Sequence, residues 1–179
     1  AGYLAVLVPW PKPVLVSIIV VAMGLLAAKG ILESVLFAGI LTVIEVAGLM
    51  VIVVAGYIHN PDLFAALPSA FPHVSDTVAL QGVFAASLIA FFAFIGFDDV
   101  VNLVEETRNP TKTMPWAIAI SLVLVTVIYF LVVFVAVQSV PIDQLAGSEA
   151  PIGLLFERLT GFSPLAITLV AIVATLNGV

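Results

Sequence analysis

Between Trp116 and Val137 the chain runs for 22 residues without a charged side chain. About twenty apolar residues are what an α-helix needs to cross the hydrocarbon core of a bilayer. Four further apolar runs accompany it, at about 14–28, 35–57, 78–104 and 164–179. A soluble fold of this length has nowhere to bury so much apolar surface. Of the 179 residues 63% are hydrophobic and 9% charged, against about half and about a quarter in ordinary globular chains. In lipid every backbone N–H and C=O must find a partner, which a helix provides internally. The expected fold class is therefore all-α integral membrane, a single transmembrane domain of five helices over 1–179.

One run breaks the pattern. From Phe91 to Pro115 the chain reads FFAFIGFDDVVNLVEETRNPTKTMP. Gly96 stands between Phe94, Ile95 and Phe97, and Asp98 and Asp99 follow before the hydrophobicity has ended. A helix facing lipid has no use for either feature. Gly costs roughly 1 kcal/mol of helix propensity relative to Ala, and intramembrane carboxylates face a pathway or a partner because they are costly toward lipid. The run is expected to be a helix broken near 93–97 and lining a cavity. Asp98 and Asp99, as neighbours, lie about 100° apart on a helix and do not both face one groove.

The spacing F-A-F-I-G-F-D (Phe92 to Asp98), then E-E-T-R-N-P (Glu105 to Pro110), then Met114-Pro115, resembles the sixth helix and following loop of amino acid permeases. These belong to the amino acid–polyamine–organocation superfamily. Weaker similarity runs from Lys29-Gly30 through Gly56, like the family's fourth-to-fifth helix region, and from Thr175 to Val179, like part of its eighth helix. The resemblance implies an inverted-repeat transporter fold of the leucine-transporter type with a discontinuous helix, here only in part. It implies a substrate site at Phe92, Ala93, Phe94, Ile95, Gly96, Phe97 and Asp98, where carbonyls freed by the break receive an ammonium group. Half-helix ends carry partial charges suited to zwitterions. Asp98 falls on the family's acidic position.

Glu45 is the acid at the centre of the second run. The surrounding Val, Ile, Leu and Phe residues contribute about −0.3 to −0.6 kcal/mol each to insertion against roughly +3 for one central acid, so the helix still inserts. Two readings stand side by side: a carboxyl hydrogen-bonded to a neighbouring helix, or a proton- or cation-coupling residue. The resemblance bears on the second, since some proton-coupled relatives carry a Lys near this point. No Lys or Arg stands at the middle of any apolar run, so a charged Glu45 needs a partner from outside this sequence or a bound cation.

The connecting segments are polar and proline-marked. PWPKP, closing at Pro13, sets an entry turn, with Trp10 and Lys12 suited to a membrane interface. Gly24 and Ala28, four apart, permit close approach of another helix. Lys29, Gly30, Glu33 and Ser34 form a short polar link. The loop from Tyr57 to Val78 holds both histidines, Asp62 and Asp76; His73 and Asp76 lack the further ligands of a zinc site, and no metal or cofactor is expected. Glu105, Glu106, Arg108, Asn109 and Pro110 read as a structural loop motif, with Pro115 suited to the first turn of the next helix. Pro151 to Leu159 reads as a short amphipathic interfacial helix.

With the 105–115 loop cytoplasmic, as the resemblance implies, that side holds Lys29, Arg108 and Lys112 against Lys12 and Arg158 outside, a weak positive-inside bias. The net charge of −6 argues against nucleic acid. No Cys is present, which removes disulfides and thiolate sites. The chain starts at Ala1 without a basic leader and ends within an apolar run, as expected of a piece of a longer protein.

The function expected is a secondary active permease, symporter or antiporter, of amino acids or related amines. It would work by alternating access in the plasma membrane, coupled to a proton or cation, in the lipid bilayer and with the remaining transmembrane helices of the full-length protein. The alternative is a channel or a structural subunit of a membrane complex, which calls for polar stripes along several helices where these runs show isolated polar residues. An enzyme is not expected, because Asp98 and Asp99 share one segment and no catalytic cluster spans two.

Overall fold

The computed structural model describes residues 10–28, 31–73, 75–93, 104–105, 107–148 and 150–177. All its regular elements among these residues are helices: α1 (Lys12–Ala27), α2 (Ile31–His59), a 3₁₀ stretch (Leu63–Ala70), α3 (Thr77–Ala93), α4 (Pro110–Ser139), α5 (Ile142–Gly147), α6 (Pro151–Thr160) and α7 (Leu165–Asn177). α2 has 29 residues and α4 has 30. At 1.5 Å per residue each is about 45 Å long, enough to cross an apolar core of about 30 Å and emerge on both sides. The chain is thus an all-α membrane protein. α2 begins earlier than the apolar run suggests and takes in Glu33 and Ser34, which the sequence assigns to the link. α4 likewise starts at Pro110 rather than Trp116, with Pro115 inside its second turn.

Much of the apolar surface stays uncovered. Val43, Val54, Ile58, Ile89 and Val123 are all at least half exposed. Val-rich and Ile-rich helices of this kind are stabilised by internal backbone bonding in a lipid-like medium rather than by burial of one stripe. Their hydroxyls are absorbed the same way: Ser17 Oγ donates to Pro13 O at 2.9 Å, Thr42 Oγ1 to Ala38 O at 2.9 Å and Thr126 Oγ1 to Leu122 O at 2.7 Å.

The chain divides into two units. The first takes in α1, α2, the end of α4 from Leu131, and α5 to α7. Here α2 is the central helix, packing against α1, α6 and α7. One of its faces is buried, with Leu41 and Ile52 at its core, and two glycines on that face let neighbours in. A Cβ on Gly48 would lie 2.6 Å from Val170 Cγ1 of α7, and one on Gly56 would lie 2.5 Å from Val135 Cγ1 of α4. No such approach is made at Gly24, where an added Cβ would meet nothing within 4 Å.

The amphipathic α6 joins this unit through Leu155 and Leu159, both buried, while Glu157 and Arg158 stay exposed. Pro151 opens it at the first position, where a missing N–H costs nothing. Gly161 closes it at φ 70, its N–H donating to Glu157 O at 2.8 Å.

The second unit is Phe64–Phe130. Asp76 caps α3: its Oδ1 accepts from Ala79 N at 2.9 Å and its backbone carbonyl from Leu80 N at 3.0 Å. Phe71, just after the 3₁₀ stretch, stacks on Phe130 of α4 with ring centroids 6.5 Å apart.

Candidate functional site

The described part of the expected substrate site is the end of α3, which reaches Ala93. Phe91 and Phe92 stand there edge to face, with ring centroids 6.3 Å apart and planes at 73°. Phe92 is 70% exposed. Both aromatic faces are without cover. The other residues assigned to the site, Phe94, Ile95, Gly96, Phe97 and Asp98, lie outside the described residues.

The loop motif that follows leads into α4. Thr107 N donates to Val104 O at 3.2 Å, and Thr107 Oγ1 meets Met114 Sδ at 3.7 Å. Asn109 takes a left-handed conformation at φ 52, which Asn tolerates better than most residues. Its carbonyl accepts from both Lys112 N and Thr113 N at 3.0 Å, starting α4, and Thr113 Oγ1 donates back to Arg108 O at 3.0 Å. Pro110 occupies the first helical position. Glu105 and Arg108 have exposed side chains; Glu106 lies outside the described residues.

Glu45 lies in the first unit, half-buried on α2. Its Oε1 is buried and has no hydrogen-bond partner. On a helix of 3.6 residues per turn Thr42, Glu45 and Gly48 are separated by steps of about 60° around the axis, so Glu45 sits between the other two. Both of those touch α7: Asn177 Nδ2 donates to Thr42 Oγ1 at 3.0 Å, and Gly48 lies against Val170. The carboxyl therefore faces the seam between α2 and α7. Thr42 and Asn177 were not marked by sequence reasoning. The available signal was a hydroxyl one turn from an acid in an otherwise apolar run.

The 57–78 loop supplies no ligand set: among the described residues no group of three or more His, Cys, Asp or Glu side chains is placed to hold a metal. A shallow apolar concavity of about 460 Å³ lies along Ala47, Met50, Val51, Val54, Ala55 and Ile58 of α2. It offers no polar side chain to an amino acid.

A family model described as amino acid permease matches residues 3–178. The chain belongs to the amino acid permease family. A branched-chain amino acid permease of Bacillus subtilis is 35% identical over 144 residues, covering 78% of this chain and 29% of the relative. A vacuolar cationic amino acid transporter of Arabidopsis thaliana is 36% identical over 132 residues, covering 72% and 20%. A methylthioribose transporter of Bacillus subtilis is 27% identical over 131 residues, covering 72% and 26%. The permease chain therefore spans between about a fifth and a third of the length of these relatives. No solved structure matches it.

Proposed function

We propose that the protein containing this chain is a secondary active transporter of amino acids or related amines, working by alternating access and coupled to a proton or cation. The observation that carries the reading is membership of the amino acid permease family over residues 3–178. Relatives named for branched-chain and for cationic amino acids both support an amino acid substrate. The methylthioribose transporter among them keeps the substrate panel wider than amino acids.

In this reading the helix is broken near 93–97, as the resemblance implies, and the freed backbone of Ala93 to Gly96 receives the substrate's charged group. Phe92 and Phe97 screen it from water, and Asp98 supplies the acidic position. Glu45 takes the coupling proton or cation. The 105–115 loop is cytoplasmic, and the plasma membrane is the location. Alternating access is a rigid-body exchange around a midplane site in transporters built from inverted repeats.

Thermal unfolding of the detergent-solubilised full-length protein, with a panel of amino acids, amines and methylthioribose, tests this. A ligand that binds only the folded state raises its stability by mass action, by about 2.7 kcal/mol at a hundredfold excess over Kd. A saturable shift with one amino acid class, lost in Gly96→Leu, is the expected result. No shift with any amino acid or amine sinks the substrate assignment.

A further inference from the structure

Glu45 Oε1 is a buried oxygen without a hydrogen-bond partner. The space and the ligands around it decide which ion it can take.

The space is closed. Val170 of α7 is packed against Gly48, and Ile52, one turn further along the same face of α2, is fully buried. Leu41, one turn before Glu45, is buried as well. Val170 and Asn177 are seven residues apart on α7, and the α2 residues they meet, Gly48 and Thr42, are six apart and in reverse order. The helices are thus antiparallel, and at the level of Glu45 α7 carries Val173 and Ala174. Because Oε1 is buried among these residues, water does not reach it, and neither does a helix from elsewhere in the full-length protein unless it displaces them. Glu45 as a whole is half-buried, so one flank of the side chain stays open while Oε1 is sealed.

The ligands are too few for a metal cation. Such an ion leaves its water shell only where several oxygens replace it, about six to eight in the case of calcium. The nearest side-chain oxygen on the same face of α2 is the Thr42 hydroxyl, which is used in both directions. It accepts from Asn177 Nδ2 at 3.0 Å and donates to Ala38 O at 2.9 Å. Leu41, Gly48, Ile52, Val173 and Ala174 have no side-chain oxygen to give. A proton needs neither room nor a shell of ligands. It adds to the carboxyl and replaces a buried, unpartnered anion by a neutral acid, whose burial costs far less.

We infer that the ion taken by Glu45 is a proton, and that the seam between α2 and α7 does not admit a metal cation. The inference rests on the reading of Glu45 as the coupling residue and names the ion of that site. Neither protonation state requires α7 to move, since the proton arrives and leaves along the open flank of Glu45.

No other charge interferes along the packed elements. α7 and the Leu131–Ser139 part of α4 carry no titratable residue, Glu157 and Arg158 of α6 are exposed, and Lys12 is the first residue of α1. On α2 itself Glu33, Tyr57 and His59 are each about three turns or more away from Glu45.

The test uses the full-length protein in two readouts. In proteoliposomes free of sodium and potassium, a proton gradient alone is expected to drive accumulation of leucine or arginine. That accumulation should be abolished by a protonophore and lost in Glu45→Gln at matched reconstituted amounts. Accumulation that requires sodium or potassium, or that survives in Glu45→Gln, overturns the inference. The second readout needs no transport. Infrared difference spectra on a pH step identify the Glu45 carboxyl band by its loss in Glu45→Gln and its displacement in Glu45→Asp. The band should titrate with pH and stay unchanged when sodium, potassium or calcium is added at fixed pH. A metal cation bound at Glu45 would expel the proton by linkage, so a band that fades on adding any of these ions, or that never titrates, overturns the inference. Absent uptake of every substrate, with a Glu45 band that titrates and ignores the cations, strikes the transport reading and supports the proton assignment.

Discussion

Gly48 lies so close to Val170 that a methyl group on its Cα would come within 2.6 Å of the valine Cγ1 and 3.3 Å of its Cβ. Valine is stiff at χ1 and does not turn such a group aside cheaply. Gly48→Ala therefore forces α2 and α7 apart. Overpacking of this kind costs about 1–3 kcal/mol. The expected outcome in thermal unfolding is a lower Tm for Gly48→Ala and recovery in Gly48→Ala/Val170→Ala. A double variant no better than the single one would place the strain elsewhere.

Gly56 repeats the relationship against α4, with Val135 Cγ1 at 2.5 Å from the added methyl group. The two glycines are eight residues apart on α2, about 12 Å along the axis. Sites so separated, with different partners, add to within about 0.5 kcal/mol. Gly48→Ala and Gly56→Ala combined should then lose the sum of their separate losses. Marked sub-additivity would mean that one substitution already separates α2 from both neighbours.

How far the sequence carried the fold follows from which signals are local. Long spans needed only a run of apolar residues, so α2 and α4 were legible, while their ends moved outward because Ile31–Ser34 and Pro110–Pro115 continue a helix that hydropathy alone does not see. α5, six residues with no apolar length to announce it, was missed. Small-residue spacing drew attention to Gly24, where nothing approaches, and passed over Gly48 and Gly56. Such spacing shows that a close approach is permitted, and which helix arrives is decided by the tertiary fold. The stretch expected to receive the substrate was legible only as a motif, and Phe94 to Asp98 lie outside the described residues. Glu45 was visible as an anomaly of charge, but its position on the α7 side required the contacts of Thr42 and Gly48.

The sequence places Asp76 in the 57–78 loop with no role beyond a rejected metal site, and its side chain holds the first turn of α3 through Ala79 N at 2.9 Å. Loss of such a cap costs about 1 kcal/mol. Asp76→Ala should lower Tm, and Asp76→Ser or Asp76→Asn should keep most of the stability, because each retains a side-chain oxygen. Equal losses in all three variants would show that the charge, rather than the capping bond, is what matters.

Asn109 makes its turn at φ 52, with its carbonyl taken by Lys112 N and Thr113 N. A left-handed residue with a Cβ costs roughly 1–2 kcal/mol, a penalty that glycine escapes and asparagine softens. Asn109→Gly is expected to leave Tm nearly unchanged, and Asn109→Val to lower it by more than Asn109→Ala. A stable Asn109→Val variant would mean that the loop reaches α4 by another path.

Glu45 allows stability and function to be set against each other. Its Oε1 is buried without a partner, and a buried polar atom left unsatisfied costs about 1–3 kcal/mol. Glu45→Leu removes that cost and fits the apolar surroundings set by Leu41 and Ile52. If the residue served the fold, the leucine variant would be less stable and uptake would fall along with the amount of folded protein. If it serves coupling, the variant gains stability while uptake per folded molecule is lost, the trade-off seen where an active site is kept at the expense of packing. The expected outcome is a higher Tm with loss of pH-dependent uptake, measured on the full-length protein at matched reconstituted amounts. A lower Tm with unchanged uptake per molecule would return Glu45 to a structural role.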